Sequence, residues 1–157
     1  MCFMVDTNVF DALAKGRLSL DSLPSDEKLR ATRVQLEELK NAKDTNLRSK
    51  LLATFAEIIA PDAVIPAAFA FDIAGAGFEE GAWRSDGGLW RALKKDLDDA
   101  WQRMPKRRQK RRKKENNAKD CLIAEAAKFN GCTLLTYDPD LAMVAEKHGV
   151  KVRLLVF

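Results

Sequence analysis

The sequence predicts an α/β fold in which a parallel sheet of four or five strands is covered by helices on both faces. Strand-like and helix-like segments alternate at both ends of the chain, as in sheets whose parallel strands are joined by helices. Carboxylates follow two of the apolar strands: Asp6 comes after residues 1–5, and Asp138 comes after residues 132–136. In open parallel sheets, ligands bind beyond the carboxyl ends of the strands. A functional site is therefore expected at this edge of the sheet.

Each element is predicted from apolar periodicity and from the residues at its boundaries. The predicted strands are 1–5, 28–31, 64–65, 132–136 and 150–156. The predicted helices are 7–15, 32–40, 46–59, 89–103, 116–130 and 141–147. Thr32 is placed as the cap of the second helix, and Gly16 and Gly131 as the stop residues of the first and fifth. The segment 75–88 contains five glycines, which indicates a bend or loop.

The composition is typical of a globular protein, with 46% hydrophobic and 32% charged residues in a chain of 157. We expect one domain over residues 1–157. No apolar run approaches the ~18 residues of a membrane span, and no signal peptide is evident, so a cytoplasmic location without membrane contact is expected. The cysteines Cys2, Cys121 and Cys132 form no CxxC pair, which favours buried reduced thiols over a zinc site. His148, near the end of the last helix, is interpreted as a solvated cation.

Positive charge is concentrated in one part of the chain. Residues 103–119 carry ten Lys or Arg against one acid, so this basic segment has a charge of +9 and the rest of the chain −5. Such an asymmetry predicts a local binding surface for a polyanion; the alternative is a solvated run without function. The run has no apolar positions at helical spacing, so it is expected as an exposed loop or a solvated helix extension. The residues predicted to bind the polyanion are Lys106, Arg107, Arg108, Lys110, Arg111, Arg112, Lys113 and Lys114.

Clustered carboxylates predict a metal-dependent site. Asp120 follows Asn116 and Asn117 on one face of its predicted helix, and Asp138 and Asp140 follow the fourth strand. Carboxylates packed together resist ionisation unless a cation neutralises them. A hard divalent ion, Mg²⁺ or Mn²⁺, prefers such oxygen ligands.

Three segments resemble the motifs of the PIN-domain nucleases, and most closely those of the VapC-type toxins of bacterial toxin–antitoxin pairs. "VDTNVF" is similar to the opening motif of that family, in which an aspartate ends the first strand. "DCLIAEAAKFNGCTLLTYDPDL" resembles its closing segment, in which an Asp-x-x-Ile helix leads into a strand ending Thr-x-Asp-x-Asp. "VQLEEL" resembles the intermediate motif, in which a glutamate precedes a leucine.

The resemblance implies a PIN-like three-layer α/β/α sandwich and an acidic site. Its implied catalytic residues are Asp6, Glu38, Asp120 and Asp138, and its implied metal ligands are Asp6, Asp120, Asp138 and Asp140. The implied supporting residues are Thr7, Asn8, Asn117 and Thr136. Glu38 is preferred to Glu37 because it immediately precedes Leu39, although periodicity alone does not separate the two. Either one or two metal ions are compatible with this set.

The implied activity is Mg²⁺- or Mn²⁺-dependent endoribonuclease cleavage that leaves a 5′-phosphate and a 3′-hydroxyl. The implied partners are an RNA substrate and a protein antitoxin. Trp83, Trp90 and Trp101 are interpreted as core residues, with a homodimer or antitoxin interface as the alternative. A non-catalytic PIN-like RNA-binding module or RNA-processing factor is the alternative function. A haloacid-dehalogenase-type phosphatase is excluded because Asn8 stands where that class requires a second aspartate.

Overall fold

The computed structural model describes residues 1–67, 88–111, 114 and 116–156, with only the backbone described for residues 110 and 111. Within these residues five strands form one parallel sheet in the order β3-β2-β1-β4-β5. The strands are β1 (Cys2–Val5), β2 (Lys28–Thr32), β3 (Val64–Ile65), β4 (Thr133–Thr136) and β5 (Val152–Leu154). The predicted α/β class and the parallel sheet are confirmed.

Helices follow the strands along the chain. They are α1 (Thr7–Ala14), α2 (Arg33–Lys40), α3 (Thr45–Ile58), α4 (Gly88–Arg103), α5 (Lys106–Arg111), α6 (Asn116–Phe129) and α7 (Pro139–Lys147). Six of these match the predicted helices to within two residues at each end. Helix α5 lies in the basic segment and begins directly after Pro105, so part of that segment is a short helix of its own.

The two faces of the sheet bury different apolar clusters, because successive side chains along a strand point to opposite faces. Met4 and Leu134 pack against buried residues of α4, α6 and α7. Val5 and Leu135, one position further along the same strands, pack instead with buried residues of α1 and α3. The chain is therefore a three-layer α/β/α sandwich, as predicted.

Local boundary signals explain where α6 and α7 end and begin. Gly131 has a φ of 64°, which glycine adopts without a steric cost from a Cβ atom, and it follows the last turn of α6. Helix α7 begins two residues earlier than predicted because the Asp138 carboxylate caps it. One oxygen of Asp138 accepts hydrogen bonds from the backbone N–H groups of Asp140 at 2.9 Å and Leu141 at 3.2 Å.

The prediction of three reduced cysteines is wrong for two of them. Cys2 and Cys132 form a disulfide, with their Cα atoms 4.6 Å apart. The parallel pairing of β1 with β4 sets Phe3 beside Thr133, so the residue before each of these also faces its counterpart. Cys121 is buried in α6, as expected. Sequence separation concealed the pairing, because the bonded residues are 130 positions apart.

The interpretation of His148 as a solvated cation is also wrong. His148 does lie at the C-terminal cap of α7, but its side chain is only 20% exposed, and its Nε2 lies 2.8 Å from the Asp96 carboxylate of α4. Lys147 Nζ lies 2.7 Å from the same oxygen of Asp96. Hydrogen bonds from Lys147 and His148 hold the pKa of Asp96 below its usual range. This cluster joins the end of α7 to α4.

Some predictions fall on residues that the structure does not describe. The glycine-rich segment 75–88, apart from its last residue, lies outside the described residues, as do Trp83, Arg112 and Lys113. None of the helices in the described part of the chain has the length and apolar content that crossing a bilayer requires.

Candidate metal-dependent active site

Asp6 occupies the junction between β1 and α1, where it is 2% exposed. It is the N-cap of α1, and its Oδ1 accepts a hydrogen bond from the Thr7 backbone N–H at 2.7 Å. Its Oδ2 accepts the Thr136 hydroxyl at 2.6 Å. The helix start and the neighbouring strand therefore hold both oxygens of this carboxylate in a fixed position.

The ends of β1 and β4 are joined by a network centred on Thr136. The Thr136 hydroxyl donates to Asp6 and accepts from the Asn8 side-chain amide at 3.1 Å and the Asp138 N–H at 3.0 Å. The Asn8 carbonyl oxygen in turn accepts the Tyr137 N–H at 3.1 Å. A hydroxyl offers one donor and two acceptor positions, and Thr136 uses all of them. Thr136 and Asn8, both predicted as supporting residues, thus fix the spacing between Asp6 and Asp138.

Glu38 approaches the same edge from α2. Its Oε2 accepts the Thr7 hydroxyl at 2.9 Å, and its Oε1 lies 3.7 Å from Lys119 Nζ. Glu37, the alternative left open by periodicity, points elsewhere and pairs with Lys40 at 2.6 Å. The structure therefore brings Glu38, and not Glu37, to Asp6.

All five of the predicted acidic residues line one pocket of about 670 Å³. The pocket lies beyond the carboxyl ends of β1 and β4, where the topology predicts ligand binding. The residues that line it are Asp6, Thr7, Asn8, Asp11, Glu38, Arg108, Asn116, Asp120, Tyr137, Asp138, Pro139 and Asp140.

The pocket also includes residues that were not predicted for the site. Asp11 lies four residues after Thr7, one turn along α1, so helical spacing from Thr7 could have identified it.

Asn116 lines the pocket, whereas Asn117 is fully buried and donates from its amide to Asp98 at 2.9 Å. Asn117 was predicted to support the site, but it does not line the pocket. Both residues precede Asp120 within one turn, and only the packing against α4 separates them.

Burial raises the pKa of Asp6 from its ordinary value of 3.8 to about 7. The hydrogen bond from Thr136 opposes this rise, and so does the bond from the Thr7 backbone. The negative charges of Asp138 and Glu38 raise the pKa further, since each disfavours a second nearby charge. Burial and the two neighbouring carboxylates therefore outweigh the hydrogen bonds that favour the ionised form of Asp6.

The chemistry of the pocket fits a hard divalent cation. Its donors are carboxylate oxygens, and Asp6 is a buried acid whose ionised form a cation would stabilise. As the side chains stand, no three His, Cys, Asp or Glu residues in the described ranges are grouped closely enough to hold a metal ion. Several of the carboxylates are instead turned to donors of the protein, as Asp6 is to Thr136 and Asp138 to the start of α7. Ligation would therefore require side-chain rotation.

The basic segment reaches the pocket through Arg108. Its Nη2 atom lies 3.0 Å from Asp140 Oδ2, with the arginine side chain 54% exposed and the aspartate 19% exposed. Lys106 and Arg107, on the same helix, are exposed and do not line the pocket. Lys114 is exposed, with its Nζ 6.0 Å from the centre of the Trp101 ring. Positive charge thus lies next to the acidic pocket.

Trp90 is partly buried and packs against the core on the α4 side of the sheet. Its indole N–H donates to the Ala118 carbonyl at 3.1 Å. This position fits the core interpretation for Trp90. Trp101 is half-buried further along the same helix.

Solved structures of VapBC proteins, described as a family of toxin–antitoxin systems, share this architecture. The structure of VapBC-5 from Mycobacterium tuberculosis matches with a TM-score of 0.56 and 19% identity, and the alignment covers 98% of each chain. The structure of VapBC2 from Rickettsia felis, bound to a DNA fragment from the promoter, matches with a TM-score of 0.56, 16% identity and the same coverage. The structure of VapBC-1 from nontypeable Haemophilus influenzae matches with a TM-score of 0.53, 15% identity and 98% coverage of both chains.

The chain has a PIN-like fold. The resemblance derived from the sequence motifs is thereby confirmed for the fold. No protein-family model matches the sequence, and no curated protein matches it either. The similarity therefore lies in the three-dimensional structure and in short motifs. At most aligned positions the residue of this chain differs from that of the solved structures.

Proposed function

We propose that this protein is a metal-dependent endoribonuclease that hydrolyses RNA phosphodiester bonds with Mg²⁺ or Mn²⁺, and that it is the toxin of a toxin–antitoxin pair. One observation carries the proposal. The five acidic residues predicted from separate motifs line one pocket at the carboxyl edge of the sheet. Structural residues scattered over a chain of 157 have no reason to converge in this way.

Asp6, Asp120, Asp138 and Asp140 would hold the metal, with Glu38 completing the acidic set. When bound, the metal supplies a water of lowered pKa and polarises the phosphoryl oxygen. Thr136 and Asn8 join the ends of β1 and β4, so they hold the backbones that carry Asp6 and Asp138 next to each other. Thr7 plays a similar part by holding Glu38 against the start of α1.

A cleavage assay tests the proposal. The purified protein should cut RNA in Mg²⁺ or Mn²⁺ and lose this activity in EDTA. Asp6→Asn and Asp120→Asn should each abolish cleavage while retaining the fold. Asp62→Asn is the matched control, because Asp62 pairs with Lys28 on an exposed surface and should leave cleavage unchanged. Activity that persists in EDTA or in both pocket variants would contradict the proposal.

The same assay distinguishes the alternative function. Metal-independent RNA binding without cleavage by the folded wild-type protein would show a non-catalytic RNA-binding module. The pocket favours catalysis, because an acidic cavity repels a phosphate backbone unless a cation lies between them.

A protein antitoxin is the proposed partner, because the similar structures are of VapBC toxin–antitoxin systems. A reading frame for a small DNA-binding protein beside this gene, with a product that co-purifies with the chain, would support this assignment.

A homodimer is the second proposed assembly, and light scattering of the purified protein tests it directly. We also propose a cytoplasmic location, which microscopy of the chain with a fluorescent tag would test.

A further inference from the structure

Two cations from different helices each hold a carboxylate at the acidic pocket. Arg108 of α5 pairs with Asp140 of α7 at 3.0 Å. Lys119 of α6 lies 3.7 Å from Glu38 of α2. The carboxylates of both pairs line the pocket, and Arg108 lines it as well. The pocket is therefore partly neutralised by the protein itself.

Neither pair is sequestered from water. The Arg108 and Lys119 side chains are 54% and 33% exposed, so water screens both attractions and each ion pair is weak. A divalent ion bound by the carboxylates would replace these two positive charges. The released side chains would then lie at the edge of the pocket with no compensating negative charge from Asp140 or Glu38.

Arginine and lysine are the side chains suited to bind phosphate oxygens. The planar guanidinium donates two parallel hydrogen bonds, and the lysine ammonium acts as a compact point charge. Arg108 and Lys119 each pair with a carboxylate that lines the pocket, whereas Lys106 and Arg107 are exposed and line no part of it. Their position next to the carboxylates therefore indicates a role at the cleaved bond, beyond general attraction of RNA.

We propose that Arg108 and Lys119 are a phosphate-binding pair. They neutralise Asp140 and Glu38 in the metal-free protein, and they bind the RNA phosphate at the cleaved bond once a metal occupies the carboxylates. Lys119 thereby joins the site, and Arg108 has a role that the exposed Lys106 and Arg107 do not share. This inference rests on the proposed nuclease function.

Mn²⁺ binding without RNA gives the first test, with free Mn²⁺ measured by electron paramagnetic resonance at low ionic strength. Because each cation competes with the metal, Arg108→Gln and Lys119→Gln should each bind Mn²⁺ about two- to fivefold more tightly than wild type. Lys95→Gln removes the same charge from a side chain that is 77% exposed on α4 and lies outside the pocket, so it should leave Mn²⁺ affinity unchanged. Arg108→Lys, which keeps the charge, should also bind Mn²⁺ as wild type does.

RNA cleavage at saturating Mn²⁺ gives the second test. Removing a side chain that binds the phosphate should raise KM about three- to tenfold in Arg108→Gln and in Lys119→Gln. Lys95→Gln is the control for this measurement, because Lys95 is 77% exposed on α4 and lies outside the pocket. Tighter Mn²⁺ binding together with weaker RNA binding is an outcome that a merely structural role would not produce, since misfolding would weaken both. Thermal melts verify the fold of each variant.

The outcomes separate this inference from the function on which it rests. If the wild-type protein binds Mn²⁺ and cuts RNA while both Gln variants behave like their controls, the phosphate-binding pair is refuted and the nuclease proposal stands. Tighter Mn²⁺ binding with an unchanged KM also refutes it. If the wild-type protein neither binds Mn²⁺ nor cuts RNA, both proposals fail together.

Discussion

Replacing the buried carboxylate of Asp6 should stabilise the metal-free protein at neutral pH. Asp6→Asn keeps the size of the side chain but removes a charge that is 2% exposed and lies near Asp138 and Glu38. The pKa of Asp6 is about 7 in the folded chain, against an ordinary value of 3.8. This difference of about three units corresponds to roughly 4 kcal/mol of lost stability in the wild-type protein, at about 1.36 kcal/mol per unit.

The sign of the effect follows from which state releases its proton first. Below about pH 4 the carboxyl of Asp6 is protonated in the folded and unfolded chains alike, so it imposes no penalty. Between pH 3.8 and about 7 the unfolded chain ionises while the folded chain keeps the proton, and wild-type stability falls as the pH rises. Above about pH 7 both states are ionised and the loss is constant.

The substitution also has a cost. One Asn oxygen cannot accept both the Thr7 N–H and the Thr136 hydroxyl, which bond separate oxygens of Asp6. A buried donor left without an acceptor costs about 1–3 kcal/mol. The expected net gain of Asp6→Asn at pH 8 is therefore about 1–3 kcal/mol. At pH 4 the charge penalty is nearly absent and the cost of the lost hydrogen bond remains, so the variant should be less stable than wild type.

Urea denaturation in EDTA under non-reducing conditions, at pH values from 4 to 8, measures this difference. Asp62→Asn is the control, since its carboxylate is 75% exposed and the difference from wild type should not depend on pH. Adding Mn²⁺ at about 100 times its Kd should then raise wild-type stability by about 2.7 kcal/mol and raise Asp6→Asn less. A pH-independent difference, or an Asp6→Asn protein less stable than wild type at pH 8, would refute the reasoning.

Three further predictions address other parts of the molecule. Glu38→Gln should lower RNA cleavage by ~10²-fold or more, whereas Glu37→Gln should retain it because that residue pairs with Lys40 away from the pocket; equal losses in a cleavage assay would contradict the assignment. Reducing the Cys2–Cys132 disulfide should lower the free energy of unfolding by about 2–4 kcal/mol in urea melts, and an unchanged midpoint would show that the bond is not formed in solution. A four-arginine variant should bind single-stranded RNA with a flatter salt dependence, by roughly 0.7 in log–log slope for each phosphate that the variant no longer neutralises, and an unchanged slope would argue against an RNA clamp. The residues replaced by Gln in that variant are Arg107, Arg108, Arg111 and Arg112.

Much of the fold could be predicted because its signals are local. Apolar periodicity locates most of the helices and strands, and the stop at Gly131 depends only on backbone sterics at that residue. The carboxylates of Asp6 and Asp138 were predicted to meet if their two strands are parallel neighbours. The pairing of β1 with β4 in the sheet supplies that condition.

What the sequence alone determined is thus the class of fold and the acidic residues that the PIN-like motifs mark. The tertiary structure decided which of two adjacent residues faces the pocket: Glu38 instead of Glu37, and Asn116 instead of Asn117. It also decided the long-range pairs, such as the Arg108 contact with Asp140. Periodicity specifies the face of a helix only to within about one turn, and it carries no information on which distant element packs against that face. Those choices depend on the packing of helices that are far apart in the chain.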